Sequence, residues 1–302
     1  MYRLNICLPV RDRKYMTMKT IDSIWQNTTK FQSKDINIYV FDNKSDLSQE
    51  RCEMFYDLLR HDKIKHYSYD SNVSTYNCFG KAVVFQRWVK MMITEHEMYR
   101  TISPGLSHYK TFYLLVDNDM LLGPRWDEYF ISAAERIESL EPDVHMLLKG
   151  PGGVPIQCKE KQPIHRMKNI YDDTLFSVQM GIGGGGSGFW FMTYNMLNKV
   201  LWKDMDLKYT FNVDKRHDST TWRLIFDKYG VCRYNAAINP PDEDNPLVLH
   251  LGGRIGSICN KLVKHEYKGQ IKEQLLISEE KEISNLSVNE LWAKYKGVAG
   301  VW

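Results

Sequence analysis

The sequence is short of the features that most quickly assign a protein. None of its six cysteines (Cys7, Cys52, Cys78, Cys158, Cys232 and Cys259) stands in a Cys-x-x-Cys pair. Their scatter excludes a zinc-knuckle spacing and points to reduced thiols, not a disulfide framework. No apolar run approaches the ~20 residues of a membrane-spanning helix. Strand-like residues begin almost at once, and no small-residue cleavage site follows them, so the expected location is the cytoplasm. An excess of one charge is also missing: a net charge of +3 is too small to imply nucleic-acid or membrane binding by itself. There is no internal repeat, no low-complexity linker, and no Gly-Lys-Ser/Thr sequence of a phosphate loop.

What remains is an ordinary globular composition, 43% hydrophobic and 25% charged, over 302 residues. That length supports one large domain or two closely joined subdomains. Apolar strand-like runs cover residues 5–10, 36–41, 64–69 and 112–116. Between them, residues 17–29, 47–60 and 77–98 carry apolar side chains at helical spacing, with Asp46 placed to cap the second helix. A β-α-β-α-β-α-β order implies a mostly parallel sheet covered by helices, with right-handed connections.

The second half changes character. Mixed short strands with Pro and Gly are expected between residues 149 and 163, a helix over 126–140, and a strand over 188–192 leading into a helix over 194–202. A helix over 218–229 stops at Gly230, and 247–251 is apolar and strand-like. Residues 261–302 read as a charged helical tail that packs on the domain or on a partner, which would allow oligomerisation through it. The expected organisation is a single domain over 1–260, split into a nucleotide-holding half (1–122) and a more variable half (123–260), followed by the tail.

The most informative sequence is Asp117-Asn118-Asp119, directly behind the apolar run 112–116. Two carboxylates one residue apart, at the exit of a buried strand, make an oxygen-rich corner that suits a hard cation such as Mg²⁺ or Mn²⁺. Open α/β sheets bind their ligands just past the carboxyl ends of the strands. Turns also favour Asp and Asn, so the motif alone is weak. The loops after the first two strands, holding Pro9, Val10, Arg11 and Arg13 in one and Asp42 to Asp46 in the other, should gather at the same edge.

Taken together, Ile6-Cys7-Leu8-Pro9-Val10-Arg11, Asp42-Asn43-Lys44-Ser45-Asp46 and Asp117-Asn118-Asp119 resemble the GT-A glycosyltransferases of the large family 2 type. The resemblance covers roughly residues 4–123 well, and 181–257 by scattered motifs. It implies a GT-A fold of the α/β class, Rossmann-like, with a smaller mixed acceptor-side region. It implies a metal-dependent enzyme that moves a sugar from a nucleoside-diphosphate sugar, uridine-based by expectation, to an acceptor hydroxyl with inversion.

The same resemblance implies roles. Pro9 and Val10 line the base and ribose pocket, and Asp42 accepts from the base or a ribose hydroxyl. Arg11, Lys81, Asn118 and Arg254 fall on the nucleotide side, with Arg13 a further diphosphate candidate. Asp119 is the principal metal ligand, Asp117 contacts the ribose or the metal through water, and His250 completes the metal site or touches the diphosphate. Asp218 matches the general base, although His217 stands where the family has an acidic residue, and Asp218 also suits a helix N-cap. Gly185, Gly186, Ser187 and Trp190 form the floor between donor sugar and acceptor.

Two other readings stay open. A sugar-1-phosphate nucleotidyltransferase shares a related core, but 9–13 lacks its early Gly-rich signature. A catalytically inactive nucleotide-sugar-binding scaffold would keep the pocket without the base. The acceptor is not legible: a saccharide, a protein or a modified DNA base all fit, the last with a steep salt dependence of activity.

Overall fold

The computed structural model describes residues 1–10, 13–43, 49–70, 77–102, 109–142, 146–149, 164–180, 188–198, 235–239, 245–251 and 283–296. Its first half alternates strictly. Strand β1 (Tyr2–Val10) leads to helix α1 (Lys14–Asn27), β2 (Ile36–Asn43) to α2 (Gln49–Arg60), and β3 (His66–Asp70) to α3 (Asn77–Ile102). Strand β4 (Lys110–Val116) closes this half. These four strands are parallel in the order β3-β2-β1-β4, as the βαβ alternation demands.

The rest is mixed. After the short β5 (Met120–Leu122) and helix α4 (Trp126–Leu140) come β6 (Leu147–Lys149), β7 (Ile164–Lys168), β8 (Leu175–Met180), β9 (Phe189–Thr193) and β10 (Asn235–Asn239). They extend the sheet to nine strands, β3-β2-β1-β4-β9-β6-β10-β8-β7, with β9 antiparallel to β4. The chain is thus an α/β protein with a parallel half and a mixed half. β11 (Val248–His250) leaves this sheet and pairs antiparallel with β5 as a separate two-stranded ribbon. Helix α5 (Val288–Tyr295) follows, opened by a capping box in which the Ser287 hydroxyl accepts from the Glu290 amide.

Both faces of the sheet are covered, so the central strands read as near-continuous apolar runs. On one face Ile6, Leu8, Ile38, Val40, Leu114 and Phe191 pack with α1 and α4 through Ile21, Ile24 and Phe130. On the other, Cys7, Tyr39, Tyr113 and Leu115 pack with Val84, Phe85, Trp88 and Met92 of α3. The alternation within one strand follows from the period of two along an extended backbone. A third, smaller core joins Met16, Leu121, Leu249, Leu251, Ile283 and Leu291, which places α5 against the ribbon. Among the described residues no helix is long and apolar enough to cross a membrane.

Candidate active site

β1, β2 and β4 end together. Val10 stands opposite Asp42 in the β1–β2 register, and β4 delivers Asp117, Asn118 and Asp119 into the turn that follows it. Asp42 is almost fully buried, and the Tyr67 hydroxyl lies 3.4 Å from its Oδ2. A carboxylate held at the mouth of a sheet is suited to accept from a ligand's N–H or O–H groups.

The Asp-Asn-Asp turn is fixed from three sides. Its closing bond runs from the Met120 amide to the Asp117 carbonyl, 3.2 Å. The Asp117 amide donates to the Gly188 carbonyl at the head of β9, 2.8 Å. The Asn118 side-chain amide donates to the Thr17 hydroxyl on the first turn of α1, 3.1 Å. Gly188 is demanded by this packing: a Cβ there would stand 2.0 Å from the Met120 methyl and 3.4 Å from Asp117 Oδ2.

Helix α1 also sets the path beyond the turn. Its buried polar stripe, Thr17, Thr20, Ser23 and Asn27, faces β5. The Asn27 side-chain amide donates to the Leu122 carbonyl (2.6 Å), and the Leu122 amide donates to the Ser23 hydroxyl (3.1 Å). These bonds supply partners that a short edge strand would otherwise lack.

Asp119 carries the chemistry of the corner. It is 4% exposed, and its Oδ2 meets two cationic or imidazole groups. Arg13 Nη1 donates to it in a close ion pair. His250 Nε2 lies 3.3 Å away. The ribbon makes the second contact possible: His250 stands opposite Met120 in the β11–β5 register, and the Leu251 amide donates to the Asp119 carbonyl at 2.8 Å. Arg13 itself sits in the left-handed region, φ 55, ψ 51, immediately before α1. That conformation costs roughly 1–2 kcal/mol for a residue with a Cβ.

A carboxylate oxygen and an imidazole nitrogen suit Mn²⁺, and the carboxylate suits Mg²⁺. Neighbouring ligands on an octahedral ion with bonds of about 2.1 Å stand about 3 Å apart, close to the 3.3 Å between Asp119 Oδ2 and His250 Nε2. The pair fits such an ion, with Arg13 as the competing cation. Asp117 stands at the start of the same turn with its Oδ2 toward Gly188, and among the described residues no three His, Cys, Asp or Glu side chains form a metal-holding group.

The remaining expectations divide plainly. Pro9 and Val10 end β1 as expected, with Val10 1% exposed. Lys81 lies within the first turns of α3, with its side chain outside the described residues, as are Arg11, Gly185, Gly186, Ser187, Asp218 and Arg254 altogether. Trp190 needs correction. It is fully buried on the α3 face of β9, with Phe85 edge-on at 5.8 Å, so it is a core side chain and offers no face to a sugar. The alternation along β9 explains this, since Phe189 and Phe191 point into one core and Trp190 into the other. Arg13 is the residue whose contact went unread, because its partner lies 106 positions away.

A second polar cluster lies beyond the end of α1, away from this corner. Asp127 accepts from the Thr29 and Lys30 amides at 2.8 and 2.5 Å, and Glu128 pairs with Lys30 and Arg125. Arg125 also pairs with Asp172 in the β7–β8 turn. Burial pushes the Asp127 carboxyl above its ordinary range, whereas the Arg125 guanidinium holds Asp172 down at about 2. Its bonds are internal, between α4, the α1–β2 connection and the hairpin, which makes it a structural staple.

No family model matches the sequence, and no curated protein matches it. Solved structures resemble it at low identity. S. aureus TarS 1-349 aligns at 11% identity over 91% of this chain and 69% of that one, with a TM-score of 0.45. The mannosyltransferase PcManGT from Pyrobaculum calidifontis, in complex with GDP-Man and Mn²⁺, aligns at 12% identity over 93% and 70%, with a TM-score of 0.47. The glycosyltransferase GlyE of Streptococcus pneumoniae aligns at 10% identity over 97% and 63%, with a TM-score of 0.39. The chain spans 44% of the longer TarS structure.

Proposed function

We propose that this chain is a GT-A-type glycosyltransferase that moves a sugar from a nucleoside-diphosphate sugar to an acceptor hydroxyl, with inversion. The observation that carries the reading is Asp119, a buried carboxylate at the carboxyl end of β4, set between Arg13 and His250. The corner lies beside the ends of β1 and β2, where Val10 stands opposite Asp42, at the edge where open α/β sheets bind their ligands.

Asp42 binds the nucleoside by accepting from its N–H or hydroxyl groups. Asp119 and His250 would hold Mn²⁺ or Mg²⁺, and the ion would supply positive charge to neutralise the diphosphate leaving group. Arg13 orients a diphosphate oxygen once it leaves Asp119, and Arg11, Lys81 and Arg254 are the further cations assigned to that group. Asn118 keeps the turn in place through Thr17. Asp218 takes the proton of the acceptor hydroxyl as it attacks the anomeric carbon opposite the departing diphosphate, and Gly185, Gly186 and Ser187 form the floor beneath the sugar. The acceptor is left as a hydroxyl compound, a class that spans saccharide, protein and modified DNA base.

The test is release of nucleoside diphosphate from a panel of nucleotide sugars, with and without Mn²⁺, by the wild type and Asp119→Ala. Metal-dependent turnover of one donor, lost in the variant, supports the reading and names the sugar. Donor binding without turnover, unchanged when an acceptor panel is added, favours a binding scaffold. Absence of binding to any donor overturns the reading.

A further inference from the structure

The ribbon that carries Asp119 and His250 is only three residues long on each side. An isolated two-stranded ribbon is marginal in water even when longer. Its stability must therefore come from what covers its two faces. Met120, Leu122 and Val248 point into the main core. Leu121 and Leu249 point the other way, into the small core closed by Ile283 and Leu291. Trp292, on the next position of α5, stands at the root of the ribbon. A Cβ on Gly123 would lie 2.6 and 2.7 Å from two atoms of its indole and 2.9 Å from the Pro246 carbonyl oxygen. The Gly123 amide donates to the Leu247 carbonyl at this same root, 2.9 Å, and Lys296 Nζ donates to Asn245 Oδ1 just before it, 2.9 Å.

We propose that α5 is the positioning element of the Asp119–His250 corner, with Trp292 as its positioning residue. The inference rests on the function proposed above for what that corner holds, but not for how it is held. Trp292 fixes the spacing of Gly123 and Pro246, where the two ribbon strands meet. The register His250 opposite Met120 then brings Nε2 to 3.3 Å from the Asp119 carboxylate at the far end. The segment after residue 260 is on this view part of the active site's framework. Partners bonded directly to a ligand side chain typically set about 10-fold to 100-fold in metal affinity, and a support one step further back acts in the same direction.

The test uses the full chain labelled with ¹⁵N-histidine, with the His250 ring signals assigned by His250→Gln. Four variants are compared with the wild type: Trp292→Ala, Trp292→Phe, Asp119→Asn and Val89→Ala. Val89 lies in the α3 core, away from the ribbon, and reports the effect of general destabilisation. The expected result is that Trp292→Ala moves the His250 signals toward those of Asp119→Asn. Trp292→Phe, which keeps a flat ring at the root, stays near the wild type, and Val89→Ala does not move them. Unmoved His250 signals in a folded Trp292→Ala overturn the proposal. If Trp292→Ala does not fold, Lys296→Ala, which loses the bond to Asn245, decides by the same signals: movement toward those of Asp119→Asn is expected, and no movement overturns the proposal. Titration with Mn²⁺ is read separately. A loss of Mn²⁺ affinity of up to about tenfold, the low end for a directly bonded partner, is expected in Trp292→Ala. A wild type whose His250 signals ignore Mn²⁺ counts against the metal-dependent function, while the first readout still decides the clamp.

Discussion

Arg13 and Asp119 lie 106 residues apart and share an ion pair at the carboxyl edge of the sheet. Arg13 adopts a left-handed backbone immediately before α1, and Asp119 is almost fully buried at the turn after β4. The pair places a positive side chain on the oxygen that also faces His250, where it would compete with the divalent cation proposed for this corner.

Removing that competitor should strengthen cation binding in the absence of nucleotide. A hydrogen bond to a charged group is worth about 1.5 kcal/mol at the low end, so Arg13→Ala should bind Mn²⁺ roughly tenfold tighter than the wild type. Turnover should fall at the same time, because the diphosphate loses a cation. Arg13→Gly separates the two effects of the position: it loses the ion pair as Ala does, but relieves the left-handed strain and should be the more stable by about 1 kcal/mol. Mn²⁺ titration followed by electron paramagnetic resonance, beside urea unfolding, reads both. Unchanged or weaker Mn²⁺ binding in Arg13→Ala would contradict the competition.

Gly188 predicts a stability effect with a named partner. An added methyl meets the Met120 methyl at 2.0 Å in a buried place, so Gly188→Ala should cost about 1–3 kcal/mol. The obstacle is the end of one flexible side chain. A double-mutant cycle with Met120→Ala should therefore be less than additive, since the truncated side chain leaves room for the methyl. Additive losses in urea midpoints would show that the backbone around Asp117 takes the strain.

The parallel half of the fold was legible because its strands are buried on both faces. β1, β2 and β4 are apolar runs that need no partner to be recognised, and β1 and β2 are each followed directly by a helix. α4 is observed over the expected residues, and α3 runs one turn further than its pattern suggested. The mixed half was not legible at the same level. β7, Ile-His-Arg-Met-Lys, is mostly exposed at the sheet's edge and has no alternating apolar signal. β5 and β6 are three residues each, shorter than any periodicity can show. Asp119 stands out by residue type and by its position after an apolar run, and His250 through the family resemblance, but their meeting depends on the β5–β11 register, which no local pattern encodes. Trp190 was misread because a glycine-rich run before an aromatic looks like a ligand loop, whereas the β9 alternation turns the ring into the core.

Asp172 predicts how acid should act on the hairpin contact. The Arg125 guanidinium holds its carboxyl at about 2, below the ~3.9 of an unfolded aspartate. A depressed carboxylate contributes stability above its unfolded pKa, and loses it as pH falls through the folded one. Glu128 is held down by the same arginine and by Lys30, and contributes with the same sign. Wild-type urea midpoints should therefore fall between about pH 4 and pH 2, and Arg125→Ala should flatten that part of the slope. Equal slopes in the two proteins would remove Arg125 as the cause.

Under the proposed function, Asp42 should separate donor recognition from the rest of the site. It lies at the end of β2, opposite Val10, and its carboxylate is nearly inaccessible to solvent in the absence of a ligand. A bond from a nucleoside N–H or hydroxyl to this group is made equally in the bound donor and in the transition state. Its loss should therefore raise KM and leave kcat nearly unchanged. Asp42→Ala removes an acceptor of a charge-assisted bond worth about 1.5–3 kcal/mol, which predicts a rise in donor KM of roughly 10-fold to 100-fold. The variant keeps Asp119, Arg13 and His250, so its Mn²⁺ affinity without nucleotide should match the wild type. Steady-state kinetics with the preferred donor and the metal titration together decide. A fall in kcat with KM unchanged would move Asp42 from nucleoside binding to the reacting centre.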